Sequence, residues 1–543
     1  MRKVFYLVAA SLLMTSCLED KIIEEYNEDF VSVFGNADPL HTWKMVDSKS
    51  VEVNLDKSAR VKIYVLVDDT YRLAADYENV SGTQTLSFDA PMGCEDIYVT
   101  VDGVPYQGIN ARNVEQNVVP APVVNVDGEL NITYGDVYKF HTEKYLDERV
   151  DNRGKVNATG CKFKSKGTGT YLFYPIYWGG IFKHRYGLYY YDGDGKIQVC
   201  EHFYINKEDE NSLKYLNEKG EYVPVKQDYV KDLFTFPSKD KLTQADLDKV
   251  VLKSPCFKFQ IEPETVFGFY VDIYWADGSY KTRYYSDPEL NKVTSTDNKP
   301  FAAFAYMHNE GESNVSYITI EDYKNDDNDY NDFIFMMTGS HEHFNDTPLS
   351  YIYAVEDLGG TNDFDFNDVV FSVSHVSGKE NATVQPLAAG GIYPANICFE
   401  GIPYGYGANK EIHDMFGVKT NVMVNTASGT TKGSMKKADP FLVPVGANWS
   451  NTATSYGNSG NGFSVRVTIP DKPQDKVLEV STSKPGGKDS APQMLVLSGD
   501  WLWPTEKTSI AVAYPKFAEW VQKFEEGNDT WDDNPAGPVV NWK

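Results

Sequence analysis

Apolar and polar residues alternate along most of the chain, which is the period of strands with one buried face. Val61, Ile63, Val65 and Val67 alternate within 60–67, and 51–55, 85–88 and 97–101 repeat the pattern between Gly and Asp turns. Short strands so spaced predict a β-sandwich over 31–140, left through Pro120-Ala-Pro122. A Tyr-rich unit over 141–345 follows, with strands at 171–178, 186–191, 256–261 and 266–275. Asp192-Gly-Asp-Gly195 marks a hairpin turn in it, and a charged insert over 205–253 carries a short helix at 243–251. The last unit, 346–543, has a short helix over 410–416 stopped by Gly417. From Pro515 a second helix places Phe517, Trp520, Val521 and Phe524 at i, i+3, i+4 and i+7 before Gly527 ends it. Such a stripe docks on a core or, alternatively, on a partner. The predicted fold class is mainly β: several β-sandwich or jelly-roll-like domains in tandem, with a few short helices.

One acidic pattern interrupts the alternation twice, each time just before a three-residue apolar run. The first copy sets Glu321-Asp322 ahead of Asp327-x-Asp329-Tyr330-Asn331-Asp332, and the second sets Glu356-Asp357 ahead of Asp363-x-Asp365-Phe366-Asn367-Asp368. Oxygen donors at alternate positions resemble the first half of a calcium loop, because a hard cation takes six to eight oxygens. In an extended strand such side chains stand about 6.6 Å apart on one face, so a metal-binding segment must curl. Asp332 and Asp368 occupy the place of the turn glycine, where aspartate tolerates a left-handed backbone. Thr338 and Ser374 stand where an EF-hand has its bidentate Glu, which excludes that motif and leaves the upstream Glu-Asp pair to complete the shell. The alternative is that Asn-Asp makes Asx-turns leading into a buried strand.

Composition narrows the partners. A formal charge of −27 over 543 residues repels nucleic acid and anionic membrane surfaces and suits divalent cations. At the N-terminus Arg2-Lys3 precedes an apolar run too short to span a bilayer, then Thr15-Ser16-Cys17. This resembles a bacterial lipobox, with residues 1–16 the signal peptide and Cys17 the acylated residue. The acidic stretch 17–30 is similar to the surface-export tether of Bacteroidota lipoproteins, which implies an outer-membrane lipid anchor facing outward. Five further cysteines are widely spaced, so buried free thiols are expected, with Cys161 and Cys200 the first pair to check.

Tyr177, Trp178, Tyr189 and Trp275 are candidates for stacking on sugar rings, or else fill cross-strand positions. His341 and His343 read as part of a solvated linker. No Gly-x-Ser-x-Gly, His-Glu-x-x-His or phosphate-binding loop is present, so no enzyme is expected. The run 354–370 with Asn362-Asp363-Phe364-Asp365, the helix 410–417 and Trp501-Leu-Trp-Pro through Phe517 together resemble the LruC-type domain of bacterial surface proteins, over roughly 350–543. The first acidic motif with 266–270 is similar to a related β domain of secreted bacterial proteins. The resemblance implies a secreted, β-rich, calcium-binding module without enzymatic role. The chain departs from it in carrying Leu358-Gly-Gly360 where many relatives have a Trp-Pro or Pro-Gly turn. The expectation is a calcium-stabilised surface lipoprotein of structural or adhesive role that engages other surface proteins or itself. Glycan capture is the alternative, and a surface glycoside hydrolase a weaker one.

Overall fold

The computed structural model describes residues 21–542 except 107–121, 134–150, 206–212, 225–242, 292–299, 453–461, 470–475, 481–490 and gaps of five residues or fewer. Cys17, Trp178 and residues 244 and 246–249 of the expected helix at 243–251 lie outside the described residues, while Val250 and Val251, placed at the end of that helix, instead begin the strand Val250–Gln260. The fold is mainly β, in several separate sheets with a few short helices. Two compact units emerge. The first comprises Met1–Ile63, Ala74–Asp96 and Pro348–Lys543, the second Tyr64–Leu73 and Ile97–Thr347, so residues 31–140 contribute to both.

The expected strands at 51–55, 60–67 and 85–88 are pieces of two long ones, β1 (Val46–Val67) and β2 (Thr70–Pro91). Asp68 and Asp69 join them, both left-handed (φ +48° and +57°), the geometry of a hairpin turn whose twist matches its strands. The apolar alternation fades at Asp56-Lys57-Ser58, which are exposed. The strand nevertheless continues through them, which is why the pattern alone broke it into short strands.

In the second unit one sheet runs Phe304–Asn309, β3 (Glu312–Ile320), β4 (Phe333–Thr338), Thr170–Tyr177, Val250–Gln260 and Val123–Thr133. Its Phe173, Phe259, Phe333 and Phe335 share a core with Phe163, Tyr186, Phe267 and Phe269 of a second sheet, the arrangement of a sandwich. His341 and His343 are not linker residues. They are 2% and 1% exposed in the strand His341–Pro348, both reach Ser316 Oγ (3.1 and 3.3 Å), and His343 stacks on Tyr306. A ring with an apolar body and a hydrogen-bonded nitrogen suits a strand interior, and short sequence spacing could not show that.

In the first unit β5 (Ser350–Val355) lies between Met494–Ser498 and β6 (Val369–Ser374), with Asn381–Ala388 and Phe441–Pro444 beyond. Tyr353 of β5 and Phe371 of β6 stack at 4.9 Å, and both meet Phe463 of a four-stranded sheet, so this unit too is built of facing sheets. Residues 21–34, within and just after the acidic stretch 17–30, form a helix, α1. Its Tyr26, Phe30 and Phe34 recur every fourth residue and are each 2% exposed or less, the apolar stripe of a docked helix. α2 (Ile412–Met415) ends before Gly417 (φ +65°), as the glycine stop predicts. α3 (Ile510–Ala513) and α4 (Phe517–Gln522) follow, and α4 buries Phe517, Trp520 and Val521 in the core, not on a partner face.

Cys94, Cys161, Cys200 and Cys398 are free thiols, so Cys161 and Cys200 do not pair. No described helix is long and apolar enough to cross a membrane.

Candidate metal centre

Each acidic repeat closes an antiparallel hairpin. Residues 321–332 join β3 to β4, with Ile320 opposite Phe333, and residues 356–368 join β5 to β6, with Val355 opposite Val369. Both loops curl the same way. Asn328 and Tyr330 in the first, and Phe364 and Phe366 in the second, are left-handed (φ between +52° and +57°). These are equivalent positions in the two copies. The left-handed residues are therefore the ones between the oxygen donors, and Asp332 and Asp368, expected to take that conformation, do not. The reason is geometric: reversing the backbone at every second residue coils the loop and turns the intervening carboxylates to one side. Aromatic residues are rarely left-handed, and each such residue costs of order 1–3 kcal/mol, so the surroundings must hold it.

The coil brings together three carboxylates per loop. Glu321, Asp327 and Asp329 present oxygens all within 4.8 Å of one another, and Glu356, Asp363 and Asp365 do the same. Asp332 and Asp368 stand aside as braces: Oδ2 of Asp332 accepts from the Asp322 amide (2.7 Å), and Oδ2 of Asp368 from the Asp357 amide (2.8 Å). Asp322 faces inward to His184 Nε2 at 2.9 Å, with Tyr186 on the other ring nitrogen. Asn331 lies against the Asp329 carboxylate at 3.1 Å, while Asn367 donates to the Pro504 carbonyl at 3.0 Å. Asx-turns are present as well, since Asp329 and Asp365 accept from the amides of Asn331 (3.2 Å) and Asn367 (3.1 Å). The Glu356 Oε1 likewise holds the amide of left-handed Phe366 at 2.5 Å.

These bonds leave acceptors over. Glu321 Oε2 and Asn367 Oδ1 are buried and meet no donor among the described residues. Burial, then the charges of Asp329, Asp322 and Asp327, push Glu321 up to about 9. Burial and then Asp363 push Asp365 up to about 8, and Glu356 lies well above the usual carboxylate range for the same kind of reason. Crowded, dry carboxylates either keep protons or neutralise one another around a cation. The donor set is all hard oxygen, of the kind calcium or magnesium takes, and lacks the nitrogen and sulfur of a zinc site.

A pH dependence follows for metal-free protein. Where the folded pKa exceeds the unfolded one, the folded state binds more protons across the interval between them. The contribution of Glu321 and Asp365 is fully present below their unfolded values near 4 and is lost as pH rises through about 8 to 9. Chelated protein is therefore expected to unfold at lower denaturant at pH 9 than at pH 6, and calcium to abolish that trend. A chelated protein equally stable at both would show that these groups titrate normally.

Sequence reading missed the supports of the second loop. Asn362 Nδ2 donates to Asp29 Oδ2 of α1 (2.7 Å), and Phe364 sits 5.3–5.5 Å from the rings of Tyr26, Phe30 and Phe34. The amides of Lys507 and Ile510 bond Asp365 Oδ2 and the Phe364 carbonyl, both at 2.8 Å. Gly390 must be glycine: a Cβ there would stand 2.1 Å from Asn367 Oδ1. The aromatic spacing of 26, 30 and 34 is the one signal that could have revealed α1 beforehand.

Of the candidate sugar-stacking aromatics, only Tyr189 and Trp275 have described side chains, and these two stand in different surroundings. Tyr189 is fully buried, packed against Tyr191 and Tyr285. The side chain of Tyr177 lies outside the described residues. Trp275 is 44% exposed but shares with Phe182 and Tyr323 a cage around Lys281 Nζ, 3.8–4.6 Å from the three ring centres.

Comparison with curated proteins and with solved structures returns no match. Residues 409–531 match DUF4842, a domain of unknown function. That segment holds two of the three motifs on which the LruC resemblance rests, and it supplies Pro504, Lys507 and Ile510, which support the second acidic loop.

Proposed function

We propose that the chain is a non-catalytic, calcium-stabilised surface lipoprotein with a structural or adhesive role, its C-terminal part an LruC-like module. The observation that carries the reading is the duplicate loop: two hairpins, one in each unit, share the alternating left-handed backbone and a three-carboxylate cluster. Residues Glu321, Asp327 and Asp329, and Glu356, Asp363 and Asp365, would hold the ions. A bound ion supplies positive charge that lets buried carboxylates lose their protons and that ties the two strands of each hairpin together.

Binding should release protons. With Glu321 and Asp365 titrating near 9 and 8, calcium added at pH 7 displaces protons into a weakly buffered solution. Acidification that saturates with calcium is expected in the wild type and is reduced in Glu321→Gln. No proton release at saturating calcium would remove the calcium reading.

The address rests on Cys17 and the stretch behind it. Cys17→Ala should shift the protein from the membrane to the soluble fraction, and added protease should reach the wild type on intact cells. Wild-type protein recovered soluble from the periplasm would overturn the anchor.

A further inference from the structure

The interior of the second unit holds an amine against a carboxylate. Lys162 opens the strand Lys162–Ser165, opposite Gly268 of Val266–Tyr274 on one side and Phe344 of His341–Pro348 on the other. Asp287 caps the short 3-10 helix Pro288–Leu290 that follows the strand Tyr280–Tyr285. Their chain neighbours fix the two segments together. The Cys161 amide donates to the Ser286 carbonyl at 2.8 Å, and the Ser286 hydroxyl donates to the Cys161 carbonyl. Lys162 Nζ then donates to Asp287 Oδ2 at 2.8 Å, which leaves it one covalent bond from Cγ.

Both side chains are buried, at 7% and 5% exposed. In the ion pairs Arg60–Asp76 and Arg283–Asp272, by contrast, the cation is 44% and 30% exposed and stays within reach of water. The Lys162 ammonium instead lies 5.2 Å from the ring centre of Phe344 and 5.8 Å from that of Tyr64. An ammonium has three donors, and Asp287 is the one hydrogen-bond acceptor it meets among the described residues. Burial opposes the charge on Lys162, but Asp287 and Glu289 outweigh burial and raise its pKa, so the pair folds as ions. Two charges held out of water are a standing cost, which a neutral amide does not carry.

We infer that Lys162 and Asp287 condense into an intramolecular isopeptide bond that cross-links the second unit. A proton passes from Nζ to Oδ2 within their hydrogen bond, and the amine lone pair attacks Cγ. The Glu289 amide, which donates to Asp287 Oδ1 at 3.0 Å, holds the oxyanion that forms there. Oδ2 leaves as water with two of the three Nζ hydrogens, and the third stays on the amide nitrogen. An ammonium and a carboxylate thus become an amide and a water, with no oxidant, reductant or co-reactant. Fixed proximity supplies what a free amine and carboxylate lack. The competing attack on Cγ by the next backbone nitrogen is blocked, because Pro288 has no N–H. The proposal uses none of the acidic-loop residues and is independent of the calcium reading.

The test is tryptic peptide mapping of the full chain by mass spectrometry. Wild-type protein is expected to give a branched species, residues 156–164 joined to residues 284–292, lighter than the two peptides together by the mass of one water. Trypsin does not cut after an acylated lysine, so the chain stays whole at Lys162 in that species. Lys162→Arg keeps a cation beside Asp287 but cannot form this amide, and it should give the two segments separately, as should Asp287→Ala. The cross-link closes the loop 162–287, so Lys162→Arg should also lower the melting transition of the second unit by about 10 °C or more. Wild-type protein cut after Lys162, with residues 284–292 recovered at full mass as the main product, would overturn the assignment whether or not the variants fold.

Discussion

Phe30→Ala is expected to destabilise the first unit by about 3–5 kcal/mol, the usual cost of emptying a buried aromatic site. Phe30 is 2% exposed, and its ring stands 4.5 Å from Phe34, 5.5 Å from Phe364 and 6.0 Å from Trp43. Removing it opens a cavity between α1 and the second acidic loop and weakens what holds Phe364 in its left-handed conformation. Denaturant unfolding followed by tryptophan fluorescence reads the effect, since Trp43 and Trp520 lie in the same cluster. Glu25→Ala, on the exposed side of α1, should change stability by about 0.5 kcal/mol or less. If the two variants unfold alike, α1 is not part of the folded unit.

Calcium at ten times its dissociation constant is expected to stabilise each unit by about 1.4 kcal/mol, the linkage value for one site. Dissociation constants of about 10⁻⁴ to 10⁻³ M are ordinary for extracellular modules, where ambient calcium is high. The melting transition should rise by a few degrees in calcium over a chelator. Magnesium should give less, because it demands a tighter octahedral shell and sheds water reluctantly. Asp365→Asn keeps an oxygen for the Asn367 amide but removes charge from the cluster, so it should abolish the gain in the first unit and spare that in the second. Phe364→Leu should keep the gain, since that side chain packs and does not coordinate. Identical transitions in calcium, magnesium and chelator would mean that the acidic loops are turns and nothing more.

The two outcomes are linked by one design problem. A loop that turns three carboxylates inward must reverse its backbone at residues ill suited to reversal, and something must hold them there. In the first loop left-handed Tyr330 is buried against Val156, Ala305, Met307 and Ile334, and its hydroxyl bonds the Ala302 carbonyl. In the second loop α1 and α4 do the work through Phe364 and Phe366. The rings held on the loop backbone therefore belong to the cores on which the loops rest.

The amino-acid sequence by itself determined the mainly β class, most strand positions and the place of both acidic loops. Those depend on local properties: period-2 alternation, glycine stops and the repeat of Asp-x-Asp-aromatic-Asn-Asp. It could not choose which six carboxylates per pair of loops converge, because that is set by the backbone at Asn328, Tyr330, Phe364 and Phe366. Nor could it tell an acidic tether from α1, whose stripe of three aromatics becomes decisive only when Phe364 is there to receive it. The same holds for His341 and His343, solvated by composition and buried by their strand partners. Burial of a polar group is worth having only where a partner waits, and partners hundreds of residues apart, such as Asp29 and Asn362, are brought together by the fold alone.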